Sequence, residues 1–169
     1  MKLKQFAPSD YCLKCLGCCR FSENPTIWAP AGCRLIQNNG GYVCEYLNLE
    51  DNRCAIYAKR PLDCRIYPFL LVKKTGKDAC PTLELGLHKS CCLIEGKRVD
   101  IQKYAGYLKK ALSGKEAVSE IHRNPGICAD YQENVEITGQ LKGLYKKIFI
   151  PKLNRLTLKD KPLVDKYLK

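Results

Sequence analysis

The chain has 169 residues, of which 12 are cysteine, and a formal net charge of +12. That length suits one domain with an appendage and can bury a core without covalent staples. Apolar runs such as YPFLLV (67–72) fall well short of the roughly 18–20 residues of a membrane span, and MKLKQFAPSD (1–10) has charges with no apolar stretch behind them, so neither a spanning helix nor a secretory leader is expected.

The expected compartment is therefore the cytoplasm, where thiols stay reduced. There, so many cysteines favour metal ligation or redox chemistry over a disulfide frame. Adjacent cysteines bridge each other poorly, and a chain of this size does not need six bridges. The positive charge is uneven. Residues 1–100 carry 15 basic and 10 acidic side chains, whereas residues 137–169 carry 9 and 2, a surplus of seven. A basic tail suits nucleic acid or an anionic surface, but a solvated lysine face explains it as well. No aromatic-rich RNA-binding signature and no zinc-finger helix accompanies it.

Eleven of the twelve cysteines precede residue 93. Turn formers concentrate in the same half, in ENPTIWAPAG (23–32), QNNGG (37–41), LEDNRC (49–54) and KKTGKD (73–78), which excludes long helices there. YVCEYLN (42–48) suits a short strand, and NNGG (38–41) a turn. CAIYAKRP (54–61) starts as a strand or short helix and is stopped by Pro61. CRIYPFLLVKKTG (64–76) reads as extended. PTLELGLHKSC (81–91) alternates Leu83, Leu85 and Leu87 with Glu84, Gly86 and His88, the period of a half-buried strand. The last two runs make a candidate hairpin.

The second half reads as helical. Asp100 is an expected N-cap for 101–112, with Ile101, Tyr104, Leu108, Ala111 and Leu112 on one face. Ser113 is the expected cap of a helix over 114–123, ending before Pro125. GQLKGLYKKIFI (139–150) and PLVDKYLK (162–169) complete the expected helices. The fold class expected is a small α+β protein: an irregular, cysteine-rich, metal-organised N-terminal region with a short β-hairpin, followed by helices. The expected division is a cysteine-rich metal- or cluster-binding domain over 1–112 and a helical, basic extension over 113–169.

The chemistry concentrates in CLKCLGCC (12–19). Two-residue gaps between Cys12, Cys15 and Cys18 let successive thiolates wrap one metal centre while backbone amides bond the sulfurs, as in the first three ligands of a bacterial ferredoxin run. One C-x-x-C pair would fit zinc ribbons or thioredoxin-like redox sites equally. Cys18 and Cys19 leave neighbouring backbone positions in different directions. They serve either one cluster and a second site, or one cluster and a nearby thiol; a buried structural thiol is the plainer reading of Cys19. Four thiolates on one zinc ion or one oxidised 4Fe-4S cluster leave a net charge of about −2, which Arg20, Arg60 and Arg65 are placed in sequence to offset. His88 and His122, the only histidines, read as surface or packing residues, although His88 lies three positions before Cys91.

CLKCLGCC, CEYL (44–47) and CAIYAKRPLDCRIYPF (54–69) together resemble the CxxCxxCC family, also called the YkgJ type, a bacterial and archaeal family described as zinc- or iron-chelating and often as iron–sulfur-containing. The resemblance covers roughly residues 10–110. It implies a ligand set of Cys12, Cys15, Cys18, Cys19, Cys44, Cys54, Cys64 and Cys91. The family's eighth cysteine begins Cys-Pro-Gly, whereas Cys92 follows Cys91 here; Cys80-Pro81 offers the proline but sits too early. Cys33, Cys80, Cys92 and Cys128 fall outside the set and are expected to be buried or free cysteines. Eight thiolates suit two four-coordinate centres, or one cluster with spare thiols. In one partition Cys12, Cys15 and Cys18 share a cluster closed by a remote cysteine such as Cys64.

The expected function is an iron–sulfur protein, of 4Fe-4S type, with one or two clusters: redox, cluster-carrying, or accessory to a modification enzyme, with a protein or redox partner. The family resemblance extends to the flagellin lysine-N-methylases, which carry a related cysteine motif. The alternative is a structural zinc protein that binds protein or nucleic acid. LNRLTLKDKPLVDKYLK (153–169) is also similar to the opening of an acyltransferase-like domain resembling the C-terminal region of phosphatidylglycerol lysyltransferases, although a capping helix explains it equally.

Overall fold

A computed structural model describes residues 3–4, 6, 13, 19–26, 29–75, 81–89, 91, 94, 100–133 and 135–150. The expected helix over 162–169, the acyltransferase-like segment, and Cys12, Cys15, Cys18, Cys80 and Cys92 lie outside these residues. The fold is mixed α+β, with two sheets and four α-helices among the described residues.

The first sheet is small. Strands β1 (Arg20–Phe21), β2 (Leu35–Asn38) and β3 (Gly41–Cys44) lie in the order β1-β3-β2, all antiparallel. The turn expected at NNGG joins β2 to β3. Asn39 and Gly40 both take positive φ, 44° and 81°, which is the demand of the two-residue hairpin turn that favours Asn-Gly. That turn sets the register, with Asn38 opposite Gly41 and Leu35 opposite Cys44.

The second sheet carries the core. Strands β4 (Phe69–Lys74), β5 (Thr82–His88), β6 (Cys128–Asp130) and β7 (Val135–Gln140) lie in the order β6-β4-β5-β7. The expected hairpin is present as β4 and β5, paired from Phe69 opposite Leu87 to Lys74 opposite Thr82. Its first arm is shorter than the extended run expected over 64–76. Leu62–Ile66 form a helix instead, α1, following Pro61 at the N-cap. Proline has no N–H to donate and its ring fixes φ near the helical value, so it suits a helix start better than a strand interior.

The helices after residue 100 bury one sheet face. Helix α2 (Ile101–Leu112) has the expected bounds, and Asp100 caps it through Oδ1, which accepts from the Lys103 amide at 2.9 Å. Helix α3 (Lys115–Arg123) has Gly114 as its N-cap, not Ser113. The Ser113 hydroxyl instead donates back to the Lys109 carbonyl at 2.9 Å, so it closes α2. The helix expected over 139–150 is cut to α4 (Leu144–Phe149), because residues 135–140 form β7 along the edge of β5. Strand β6, reached from α3 through a 3-10 turn at Pro125–Ile127, runs parallel to β4. Strands from beyond residue 112 thus complete the sheet begun before it.

Alternation selects the packed face. Phe69, Leu71, Leu83, Leu85 and Leu87 join Leu108, Leu112, Ile121, Leu144 and Ile148 in one cluster. Phe6 reaches the same cluster edge-on to Phe69, with ring centroids 5.3 Å apart, and packs on Tyr104. The Tyr104 hydroxyl donates to the Lys4 carbonyl, and the Lys4 amide donates to the Tyr107 hydroxyl at 2.9 Å. Lys4 and Phe6 are therefore pinned to α2.

Gly86 in β5 faces the other side of the sheet, where a Cβ would stand 2.5 Å from Val135 Cγ1 and 2.8 Å from Val72 Cγ2. Substituting Gly86→Ala is expected to cost about 1–3 kcal/mol through overpacking, read as a lowered urea midpoint with the slope of the transition unchanged.

Candidate metal centre

The described cysteines before β4 are delivered by separate elements. Cys19 immediately precedes β1, and Cys44 ends β3. Cys33 follows a turn closed by its own amide, which donates to the Pro30 carbonyl at 2.9 Å; Gly32 supplies the positive φ, 84°. Cys54 forms an isolated antiparallel bridge with Leu47. Cys64 lies within α1. All five, Cys19, Cys33, Cys44, Cys54 and Cys64, line a single cavity of about 210 Å³. Pro30, Ile56 and Pro61 supply apolar wall, and Arg60 is the lining cation among the described residues.

Four of these five belong to the expected ligand set. Cys33 does not, yet its Sγ lies 2.7 Å from Cys44 Sγ. Burial and the neighbouring Cys44 push the Cys33 thiol up to about 12. Cys91 stands apart from the cavity lining. It is 2% exposed and belongs to the hydrophobic cluster, where a turn after β5 places it, its amide donating to the His88 carbonyl at 3.3 Å. Cys128, 3% exposed, sits opposite Leu71 in the sheet, and burial raises its thiol to about 12. Among the described residues, no three His, Cys, Asp or Glu side chains converge closely enough to form a ready-made ion site.

The arginines divide. Arg60 stacks its guanidinium 3.9 Å from the Tyr57 ring centroid, and its Nε donates to the Tyr57 carbonyl at 3.1 Å. That fixes a positive charge at the cavity wall. Arg20, next to Cys19, donates from Nη2 to Asn52 Oδ1 at 3.2 Å. Arg65 turns away: its Nη2 donates to both carboxylate oxygens of Glu120 on α3, at 2.6 and 2.5 Å. Successive helical residues point about 100° apart, so with Cys64 on the cavity its neighbour Arg65 faces the helical layer. Through this pair Arg65 ties α1 to α3. His88 packs against Tyr67, with ring centroids 6.1 Å apart, and borders a smaller cavity of about 60 Å³ with Asp63 and Cys64. His122 contacts the Ile148 carbonyl through Nδ1 at 2.9 Å.

Asp63 organises the cavity from behind. Its Oδ2 accepts from the Ala31 amide at 2.6 Å and its Oδ1 from the Cys64 amide at 3.0 Å. Burial raises its carboxyl above the ordinary carboxylate range, opposed by these amide hydrogen bonds. One carboxylate thus joins the loop that carries Cys33 to the helix that carries Cys64. Neither Cys33 nor Asp63 was marked by the cysteine spacing. The signal for Cys33 was the Asn-Gly turn, whose register puts Cys33 diagonal to Cys44 on one face of the hairpin.

No protein-family model, curated protein or solved structure matches the chain.

Removing the Asp63 side chain (Asp63→Ala) is expected to leave the Ala31 and Cys64 amides without their acceptor and to cost about 1–3 kcal/mol. Hydrogen exchange should localise the loss, with faster exchange at Ala31 and Cys64 and little change across β4 and β5.

Proposed function

We propose that this chain is a metal-binding protein whose cysteine-lined cavity holds an iron–sulfur cluster of the 4Fe-4S type. One observation carries the reading: five cysteines from five separate places in the sequence line one largely apolar cavity. Thiolate is the soft ligand that suits iron–sulfur clusters and zinc. Five sulfurs exceed the four that a tetrahedral zinc ion takes, and the C-x-x-C-x-x-C run that ends one residue before Cys19 adds three more. The donor number therefore favours a polynuclear centre or two centres over a single ion. Cys12, Cys15 and Cys18 hold one centre in this reading, with Cys64 the remote fourth ligand, and the remaining thiolates hold a second cluster or zinc. Arg60 offsets part of the negative charge, and hydrogen bonds to the sulfurs tune the centre. The likeness of the motif to the CxxCxxCC family supports the same reading. The role that follows is redox, cluster-carrying, or accessory to a modification enzyme, with a protein partner.

A structural zinc protein is the second reading. Its support is the lysine-rich C-terminal region, including Lys146 and Lys147 of α4, which would give such a module an anionic or nucleic-acid partner. No helix among the described residues is long and apolar enough to cross a membrane.

Anaerobic purification followed by iron, acid-labile sulfide and zinc analysis separates the two readings. A brown protein with iron and sulfide in equal amounts is the expected result. A colourless protein with stoichiometric zinc supports the second reading, and binding to nucleic acid that weakens steeply with salt would supply its partner. Cys64→Ser and Cys54→Ser are expected to lose iron and sulfide, whereas Cys128→Ser keeps both and loses only stability, by about 1–3 kcal/mol for an unsatisfied buried hydroxyl.

A further inference from the structure

We infer that Cys33, a residue outside the cysteine motif, is itself a ligand of the centre in this cavity and shares a metal with Cys44. The inference rests on the metal-binding reading above and adds to it a residue that neither the motif spacing nor the family likeness supplies.

The geometry of the two sulfurs is the first support. Their separation of 2.7 Å is longer than the roughly 2.0 Å of a disulfide. Two thiolates on one tetrahedral ion, each bonded at about 2.3 Å, stand about 3.8 Å apart. Opening the pair by about an ångström therefore seats an ion between them, a shift within the reach of side-chain rotation. The two sulfurs also share the cavity with Cys19, Cys54 and Cys64, so further donors border the same space.

The second support is that Cys33 is held in place. Its amide bonds the Pro30 carbonyl, Gly32 takes the left-handed conformation the turn requires, and Asp63 accepts from the Ala31 amide two residues earlier. On the far side the hairpin ladder continues past β2, with the Glu45 amide donating to the Arg34 carbonyl at 3.0 Å. A thiol fixed from both sides and aimed at a second thiol is prepaid for ligation. On binding, the Cys33 thiol releases its proton to the buffer and its sulfur gives a lone pair to the metal, with no change of oxidation state.

Cobalt(II) is the probe, added anaerobically to the full chain after chelation of any bound metal. The cobalt–thiolate charge-transfer absorbance counts sulfur ligands, and competition with a chromophoric chelator gives the affinity. Cys33→Ser is expected to lower the band by one thiolate's share and to weaken cobalt binding at least tenfold, relative to Cys128→Ser. Cys33→His, which restores a donor, is expected to recover binding with a shifted ligand-field spectrum. In the wild-type chain, cobalt is expected to protect Cys33 from iodoacetamide, as mapped by peptide mass, and chelation to remove that protection; this measurement stands even where a variant fails to fold. Three results overturn the inference while leaving the metal-binding reading intact. They are a Cys33→Ser variant with the wild-type band and affinity beside a Cys44→Ser variant that has lost both, equal labelling of Cys33 with and without cobalt, and a Cys33–Cys44 disulfide recovered from the metal-loaded protein. A wild-type chain that binds neither cobalt nor iron with sulfide overturns the reading itself, and the inference with it.

Discussion

The ladder between β4 and β5 positions both halves of this molecule. It runs from Phe69 opposite Leu87 to Lys74 opposite Thr82, and each strand takes one more partner, β6 on one side and β7 on the other. The face formed by Phe69, Leu71, Leu83, Leu85 and Leu87 is covered by the helices after residue 100 and by Phe6 from the N-terminal segment. Helix α1 leads directly into β4, so the position of Cys64 is set by the sheet. Through that junction apolar burial in the core fixes the place of Cys64 in the cavity wall.

The cavity itself has the opposite character. Thiols gain little from being gathered at a partly buried surface, and charging them there is costly. Both thiols are raised to about 12, Cys128 by burial and Cys33 by burial together with the neighbouring Cys44, and the two sites differ in surroundings. Cys128 is enclosed by the sheet and helices as a small apolar residue. Cys33 faces another sulfur, with Arg60 on the same wall. A cation between the sulfurs reverses the electrostatic penalty, because a coordinated thiol is deprotonated outright. The clustering is thus costly for an empty site and favourable for an occupied one.

Local signals in the sequence carried well where a single residue type had a single geometric job. Asp100 caps α2, Asn39-Gly40 makes the β2–β3 turn, and the leucine alternation after Pro81 makes β5. The misses come from competition between elements. Residues 135–138 alternate Val135 and Ile137 with Glu136 and Thr138, a strand signal too short to stand out beside the helical spacing after Gly139, and β5 presents the edge on which they pair. Residues 64–66 read as extended because the run continues into β4, but Pro61 starts a turn of helix over Leu62–Ile66. At the candidate site, the motif pointed to Cys19, Cys44, Cys54 and Cys64, which share the cavity. It did not contain Cys33, whose placement depends on hairpin register, and it gave no sign that the Arg65 guanidinium would bond Glu120, 55 residues away. Long-range partners of that kind leave no trace in spacing.

The backbone of Ala31 is held on both sides. Its N–H goes to Asp63 beside Cys64, and its carbonyl accepts from Asn124 Nδ2 at 3.3 Å, at the C-terminal end of α3. One loop residue thereby spans the cavity wall and the helical layer. Thermodynamic coupling through such a link is reciprocal. Whatever stiffens the Cys33 turn slows the fraying of α3, and whatever frays the end of α3 slackens the wall on which the thiols stand. Stability measured far from the sulfurs, in the last turn of α3, is then an indirect gauge of the order in the cavity wall.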